Sequence, residues 1–287
     1  MYCIILNIDF IDAALNELTY HQLIEMDHES YFNTTVIGKI AGDSGIEVES
    51  IIRIISTLQQ IPSELISDPV LLGITQLTIE LEQVYMPINK KSIYKEPHTW
   101  SDAIQRQRIP SQLINAFSRY SKDNIETTSK SKKTMACLLW ITDMQLVEME
   151  ALLMQHSRDN SAAGAIRAIV SRVCDVLPIV AGITEIIKPE INLSERIPKI
   201  LLRLELGIPS SIIELAKVLR KTLNRGEYLE LLKREIMNID HFSSTDEQIL
   251  LEIFSSDKVE EIRFKIEQNI HEQSTTIDIP EIPLYEE

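Results

Sequence analysis

The sequence predicts a mainly helical protein, and three observations carry that prediction. Ser161 to Lys188 is long and repeats apolar residues at spacings of three and four (Ile166, Ile169, Val170, Val173, Leu177 and Val180). It is apolar on so many sides that it reads as the central helix of a bundle. Most of the remaining chain shows the same period, in segments bounded by proline, glycine or a capping side chain. One run, Tyr31 to Ile37, is instead aromatic and β-branched, which suits a short strand or hairpin.

In chain order, Ile11 to Met26 predicts one helix on Ala14, Leu15, Leu18, Leu23 and Ile24. Gly38 to Gly45 holds three glycines with Asp43 and Ser44, a turn capping the next helix, Glu47 to Leu58, which Pro62 ends. Ser67-Asp68-Pro69 starts a helix to about Val84. Trp100 to Gln107 and Ser111 to Tyr120 read as short helices divided by Pro110. Ser121 to Lys133 is polar and basic at its end, and reads as an exposed loop. Thr134 to Ile141 and Asp143 to Gln155 are apolar helices split at Thr142, whose spacing to Gln145 suits a capping box.

The central helix follows a polar turn, His156 to Asn160. Asn192-Leu193-Ser194 opens a helix to Leu206, stopped by Gly207 with Pro209 behind it. Ser210 to Thr222 is helical, Asn224-Arg225-Gly226 reads as a turn able to hold a left-handed residue, and Glu227 to Ile236 returns. Ser244 and Glu247 read as a second capping box before a helix to about Phe254. The last helix runs from Ser256 to about Ile270, and an acidic, proline-broken tail closes the chain.

At 287 residues and 44% hydrophobic, the chain can bury a sizeable core. Three scattered cysteines (Cys3, Cys137 and Cys174) make no disulfide framework, and with no leader or long apolar span the expectation is a cytosolic, reduced protein. A net charge of -15 opposes contact with phosphates. The charge is segregated, however. Residues 1 to 85 carry thirteen acids against two basic residues, Met86 to Thr134 carries ten basic residues against four acids, and Glu195 to Glu235 carries nine against six. Such a mosaic keeps a protein soluble while presenting one basic surface, although solvated faces of mixed charge produce the same pattern.

The inventory of chemical motifs is mostly negative. No Gly-Lys-Ser or Gly-Lys-Thr phosphate loop occurs, so the chain is not expected to hydrolyse ATP or to hold a cofactor. Asp246-Glu247-Gln248 looks like a helicase acidic box but has no phosphate loop to serve, and reads as a helix cap. His21 and His28, near Asp27, lack a metal pattern. No serine sits in a nucleophile elbow, Glu148 and Glu150 point to different helix faces, and Cys137 and Cys174 lie in apolar helices as core residues. No enzyme is expected.

On the central segment, Gly164, Ala168, Ser171, Asp175, Pro178 and Gly182 form a second stripe of small or polar residues, flanked by Arg167 and Arg172. Either another helix packs against these small residues, or an extended polymer such as a single nucleic-acid strand lies along them and meets the arginines.

The order of elements resembles the C-terminal half of the Ski-family superfamily II DExH helicases. The residues that carry the likeness are Thr34-Thr35-Val36-Ile37-Gly38-Lys39-Ile40-Ala41, Leu138-Leu139-Trp140-Ile141, Leu146-Val147-Glu148-Met149-Glu150, Leu204-Glu205-Leu206-Gly207-Ile208-Pro209, Leu215 and Asn224-Arg225-Gly226. The central segment falls where that family has its ratchet helix. The resemblance spans roughly Ile11 to Arg263 and implies a partial winged-helix segment (1–45), a ratchet-like helical bundle (46–206), a helix-loop-helix module (207–270) and an acidic tail (271–287). The family's motor domains have no counterpart here.

What the resemblance implies is a module, without catalysis of its own, that guides single-stranded DNA, or RNA, for a motor polypeptide. It is either a separated helicase half or a shortened frame, and the family's bacterial relatives act in DNA repair and antiviral defence. Arg167 takes the family's basic position, Ser171 lies on the same stripe, and Arg172 is a phosphate contact or a partner of Asp175. Asp175 stands where the family has a base-stacking aromatic. Trp140 reads as bundle packing. Arg220, Lys221 and Arg225 are candidate phosphate contacts in the helix-loop-helix. The alternative is a helical adaptor whose acidic N-terminal third docks on a basic protein.

Overall fold

The computed structural model describes residues 8–88, 94–154 and 162–274, and it divides into two compact units, 1–205 and 206–287. Among the described residues the chain is mainly α-helical, with one two-stranded antiparallel sheet. No helix of these residues is long and apolar enough to cross a membrane.

The first unit begins with α1 (Ile8–Tyr20), β1 (Ile24–Met26), β2 (Phe32–Thr34) and α2 (Val36–Ser44). The single helix expected over Ile11 to Met26 is therefore a helix and a strand. Gln22, with φ of 58°, turns the chain between them. The glycine-rich segment expected as a turn is α2 itself. Thr35 caps it, its hydroxyl accepting from the Gly38 amide, and the left-handed Gly45 ends it. Gly38 is required by close approach, since a Cβ there would meet the Leu23 carbonyl oxygen at 1.9 Å.

α3 (Val48–Leu58) buries Ile51, Ile54, Ile55 and Leu58. The helix expected from Ser67 to Val84 is two, α4 (Asp68–Thr75) and α5 (Ile79–Glu82). The buried Ser50 explains the break. Its hydroxyl donates to Glu80 and accepts from the Ile79 amide, holding the α5 start against α3. α6 (Glu96–Arg106) and α7 (Ser111–Arg119) flank Pro110 as expected.

The largest departure from expectation is α8 (Asn124–Trp140), which runs through the segment expected as an exposed loop. Asp123 caps it, accepting from the Ile125 and Glu126 amides. Every residue from Lys130 to Ile141 is buried. Three buried ammonium groups are tolerated because each has acceptors in place. Lys130 Nζ lies 2.8 Å from Glu82 Oε1, an oxygen that Arg53 also reaches at 2.6 Å. Lys132 donates to the Pro87 carbonyl and Glu96 and sits over the Trp100 ring, and Lys133 donates to the Leu81 carbonyl. The basic stretch from Met86 to Thr134 is thus in part an interior feature, not a surface.

α9 (Leu146–Met154) follows. The expected Thr142–Gln145 capping box does not form: the Thr142 hydroxyl donates to the Leu139 carbonyl, and Glu148 caps the Gln145 amide. The expected turn at His156 to Asn160 lies outside the described residues. α10 (Ala163–Ile187) packs against α2, α3, α4, α5 and α8. α11 (Arg196–Leu206) ends at Gly207, with φ of 68°. Trp140 is buried, and its indole donates to the Leu204 carbonyl at 2.7 Å.

The second unit comprises α12 (Ile213–Leu219), preceded and followed by single 3-10 turns, α13 (Arg225–Lys233), α14 (Ile239–Ser244), α15 (Glu247–Leu251) and α16 (Ser256–Ser274). Leu215, Leu219, Tyr228, Leu231, Phe242 and Ile262 are in its core. The expected turn at Asn224-Arg225-Gly226 is instead a helix start. Asn224 accepts from the Glu227 amide while Glu227 accepts from the Asn224 amide, a reciprocal capping box. The expected Ser244–Glu247 box is also absent: Asp246 caps α15, and the Ser244 hydroxyl bonds back to Asp240 and His241 carbonyls. Beyond Ser274 the acidic tail lies outside the described residues.

Candidate nucleic-acid interface

The sequence of α10 sorts its residues onto two faces, and the structure gives each a distinct environment. Ile166, Ile169, Val170, Val173, Leu177 and Val180 are buried. The opposite face, Gly164, Arg167, Ala168, Ser171, Asp175 and Pro178, is exposed. α10 is therefore not wrapped on all sides, as its apolar content suggested; the stretch that is runs from Lys130 to the end of α8. A Cβ built on Gly164 would meet nothing within 4 Å, and only Gly182, at the far end of the stripe, meets a neighbour, Ile40 of α2. Small side chains on an open helix face leave a shallow track on which a chain can approach the helix backbone.

Two arginines flank the track. No ion pair engages Arg167 among the described residues, and it is exposed. Arg172 is half-buried, and its guanidinium lies 3.3 Å from the Asp175 carboxylate, one turn on. That exposed pair contributes little to stability, but it cancels a positive charge on the track. Pro178 lacks the amide hydrogen that would bond the Cys174 carbonyl, so the helix ladder is broken beside the track.

In the second unit, Arg220 and Lys221 are exposed in the turn between α12 and α13, and Arg225 is half-buried at the first position of α13. Arg220 has φ of 42°, a left-handed conformation unfavourable for a β-carbon. Its carbonyl accepts from the buried Tyr228 hydroxyl at 2.7 Å, which holds the turn in place. Burial, with Glu227 nearby, pushes that phenol up, so it remains a donor. Lys265 of α16 donates to Thr222 in the same turn. The structure thus brings Arg220, Lys221 and Lys265 to one turn, and places Arg167, Ser171 and Arg172 on one helix.

Lys130, Lys132 and Lys133 were the interior cations that composition misassigned to the surface. Burial pushes the Cys137 thiol up, and pushes Cys174 up to about 12, so both are held protonated. Among the described residues no group of three or more His, Cys, Asp or Glu side chains is placed to hold a metal ion. No protein-family model matches the chain, and no curated protein matches its sequence.

Proposed function

We propose that the chain is a nucleic-acid-binding and partner-binding module, resembling the non-motor C-terminal half of a Ski-family DNA helicase. It guides a single strand along the open face of α10 for a motor supplied by another polypeptide. The observation that carries the reading is the exposed track of Gly164, Ala168 and Ser171 beside the exposed Arg167, which no ion pair engages among the described residues. Exposed cations on a rigid element position phosphates. In the second unit, taken by itself, the turn bearing Arg220, Lys221 and Arg225 is a separate candidate for phosphate contacts. With Asp175 on the track in place of an aromatic, contact is to the backbone and not by base stacking.

The test is fluorescence anisotropy of a labelled single-stranded DNA and of a duplex of the same sequence, at low and moderate salt. The reading expects preference for the single strand and affinity that falls with salt. Equal binding to both, or binding to neither, sinks it. The second reading, a helical adaptor with no nucleic-acid role, is favoured by the Arg172–Asp175 pair, which neutralises part of the track, and by the burial of three lysines.

A further inference from the structure

The hairpin between α1 and α2 turns its apolar side chains outward. β1 and β2 pair Ile24 with Thr34, Glu25 with Asn33 and Met26 with Phe32. The Asp27 amide donates to the Tyr31 carbonyl at 2.9 Å, and the Thr35 amide to the Leu23 carbonyl at 3.1 Å. Hydrogen-bonded and non-hydrogen-bonded pairs alternate along an antiparallel ladder, so Met26 and Phe32 form a non-hydrogen-bonded pair, the kind with the closest side chains. The period of two puts Ile24, Met26, Phe32 and Thr34 on one face of the ribbon. Its Ile24–Thr34 end lies at α2, where a Cβ on Gly38 would come within 2.7 Å of the Thr34 methyl. Its other end projects: Met26 is 60% exposed and Phe32 47%.

This apolar pair is held in advance of any contact. The Asp27 carboxylate accepts from the Glu29 and Tyr31 amides, each at 2.9 Å, and from the Asn33 side chain at 3.0 Å. The Tyr31 amide contributes most to holding that carboxyl below its ordinary range, so the clasp is ionised at neutral pH. A preformed surface forfeits little entropy on binding. The surroundings are acidic. Residues 8–45 carry seven carboxylates against one lysine, Lys39; Glu29 lies in the turn beside the projecting pair, while the period of two puts Glu25 and Asp27 on the other face of the ribbon, from where they act through their field. Phosphates are repelled from such a rim, and cations are drawn to it.

We infer that the Met26–Phe32 face of the hairpin docks a cationic amphipathic segment of a protein partner, its apolar side chains covering Met26 and Phe32 and its Lys or Arg side chains drawn to Glu29 in the turn and to the field of Glu25 behind the pair. The inference rests on the partner-binding half of the function proposed above and on none of the α10 residues. Exposed aromatic and methionine side chains beside charge are the usual composition of an interface core with a polar rim.

The experiment is isothermal titration of the full chain with a synthetic 18-residue Leu/Lys amphipathic peptide and with its Leu/Glu counterpart, with single-strand affinity measured in parallel. The Leu/Lys peptide binds and the Leu/Glu peptide does not. Met26→Ser with Phe32→Ser weakens binding at least about tenfold, and so does Glu25→Lys with Glu29→Lys, a charge change that leaves the apolar pair intact. The same charge change on exposed α16 positions, Glu260→Lys with Glu267→Lys, leaves affinity within about twofold, and the Met26/Phe32 variant keeps the parent's affinity for single-stranded DNA. Equal loss from the α16 reversal, or none from the Met26/Phe32 variant, overturns the inference by showing general attraction to an acidic chain. A parent that dimerises in sedimentation and becomes monomeric on Met26→Ser with Phe32→Ser overturns it in favour of a second copy as occupant. Single-strand affinity that falls with the hairpin variant also overturns it, since hairpin and strand path are then one site.

Discussion

Arg172 and Asp175 lie one turn apart on α10, with guanidinium and carboxylate 3.3 Å apart, 42% and 62% of their side chains exposed. An exposed pair of this kind is worth about 0.5 kcal/mol at most. Its consequence for a bound strand is larger than for the fold, because the carboxylate both repels phosphate and neutralises the neighbouring cation. Asp175→Asn is therefore expected to raise single-stranded DNA affinity about three- to tenfold at low salt, with unchanged thermal stability. Anisotropy titration of parent and variant checks it; unchanged or weaker binding removes Arg172 from the path.

Lys133 sets a pH dependence. Its burial, reinforced by the nearby Lys130, pushes the ammonium down to about 8, against 10.5 for an ordinary lysine, with Glu82 opposing. The folded value lies below the unfolded one, so the cation is a cost to folding below pH 8. Between about pH 8 and 10.5 the unfolded chain binds more protons, and stability rises with pH. Lys133→Met should remove that rise, a difference of about 1–3 kcal/mol. It should leave the protein at least as stable as the parent at pH 7. Urea denaturation of both at pH 7 and pH 9.5 measures it; a parent losing stability over that interval while the variant does not contradicts the assignment.

Gly38 and Gly42 lie on the same short helix with opposite constraints. A Cβ at Gly38 would collide with the Leu23 carbonyl oxygen at 1.9 Å, whereas one at Gly42 meets nothing within 4 Å. Gly38→Ala is expected to cost about 2–3 kcal/mol through backbone displacement, and Gly42→Ala to gain up to about 1 kcal/mol from helix propensity. Thermal melts of the two variants decide; equal effects would mean that α2 does not pack on Leu23 as described.

Arg220 joins strain to charge. With φ of 42° it occupies a conformation that glycine adopts without penalty, so Arg220→Gly should stabilise the second unit by about 1 kcal/mol. The same change removes a candidate phosphate contact, so single-strand affinity should fall about threefold and its dependence on salt should flatten. The two readouts move in opposite directions, which a purely structural role for Arg220 does not produce.

The contrast between α10 and α8 shows what was legible in the sequence. The buried face of α10 could be read from six apolar residues at helical spacing; that its stripe of small residues is exposed could not, since the same stripe suits a closely packed helix. The Arg172–Asp175 pair was also visible, as residues three apart on one helix. Thr134 to Ile141 was legible as an apolar helix, but the part of α8 before it was not, because the burial of its lysines is justified only by partners far away in the chain. Glu82, 48 residues from Lys130, and the Leu81 carbonyl, 52 residues from Lys133, turn a polar, basic run into core. Local pattern carries no trace of such acceptors. The capping boxes failed for a related reason. Spacing proposes Thr142 with Gln145 and Ser244 with Glu247, but Glu148 takes the Gln145 amide, and Ser244 turns back to the Asp240 and His241 carbonyls while Asp246 caps α15 at the Gln248 amide. The left-handed Arg220, whose carbonyl accepts from the Tyr228 hydroxyl, was not legible either, since nothing in the residue itself announces it.

A single strand that follows α10 past Arg167 would show itself in the salt dependence of single-stranded DNA binding, compared between the parent and Arg167→Ala. Each phosphate contact on a single strand contributes about 0.7 to the slope of log affinity against log salt. The expected result is a preference for single strand over duplex in the parent, and in Arg167→Ala a slope shallower by about 0.7 with several-fold weaker binding at low salt. A slope and affinity identical to the parent's would contradict it.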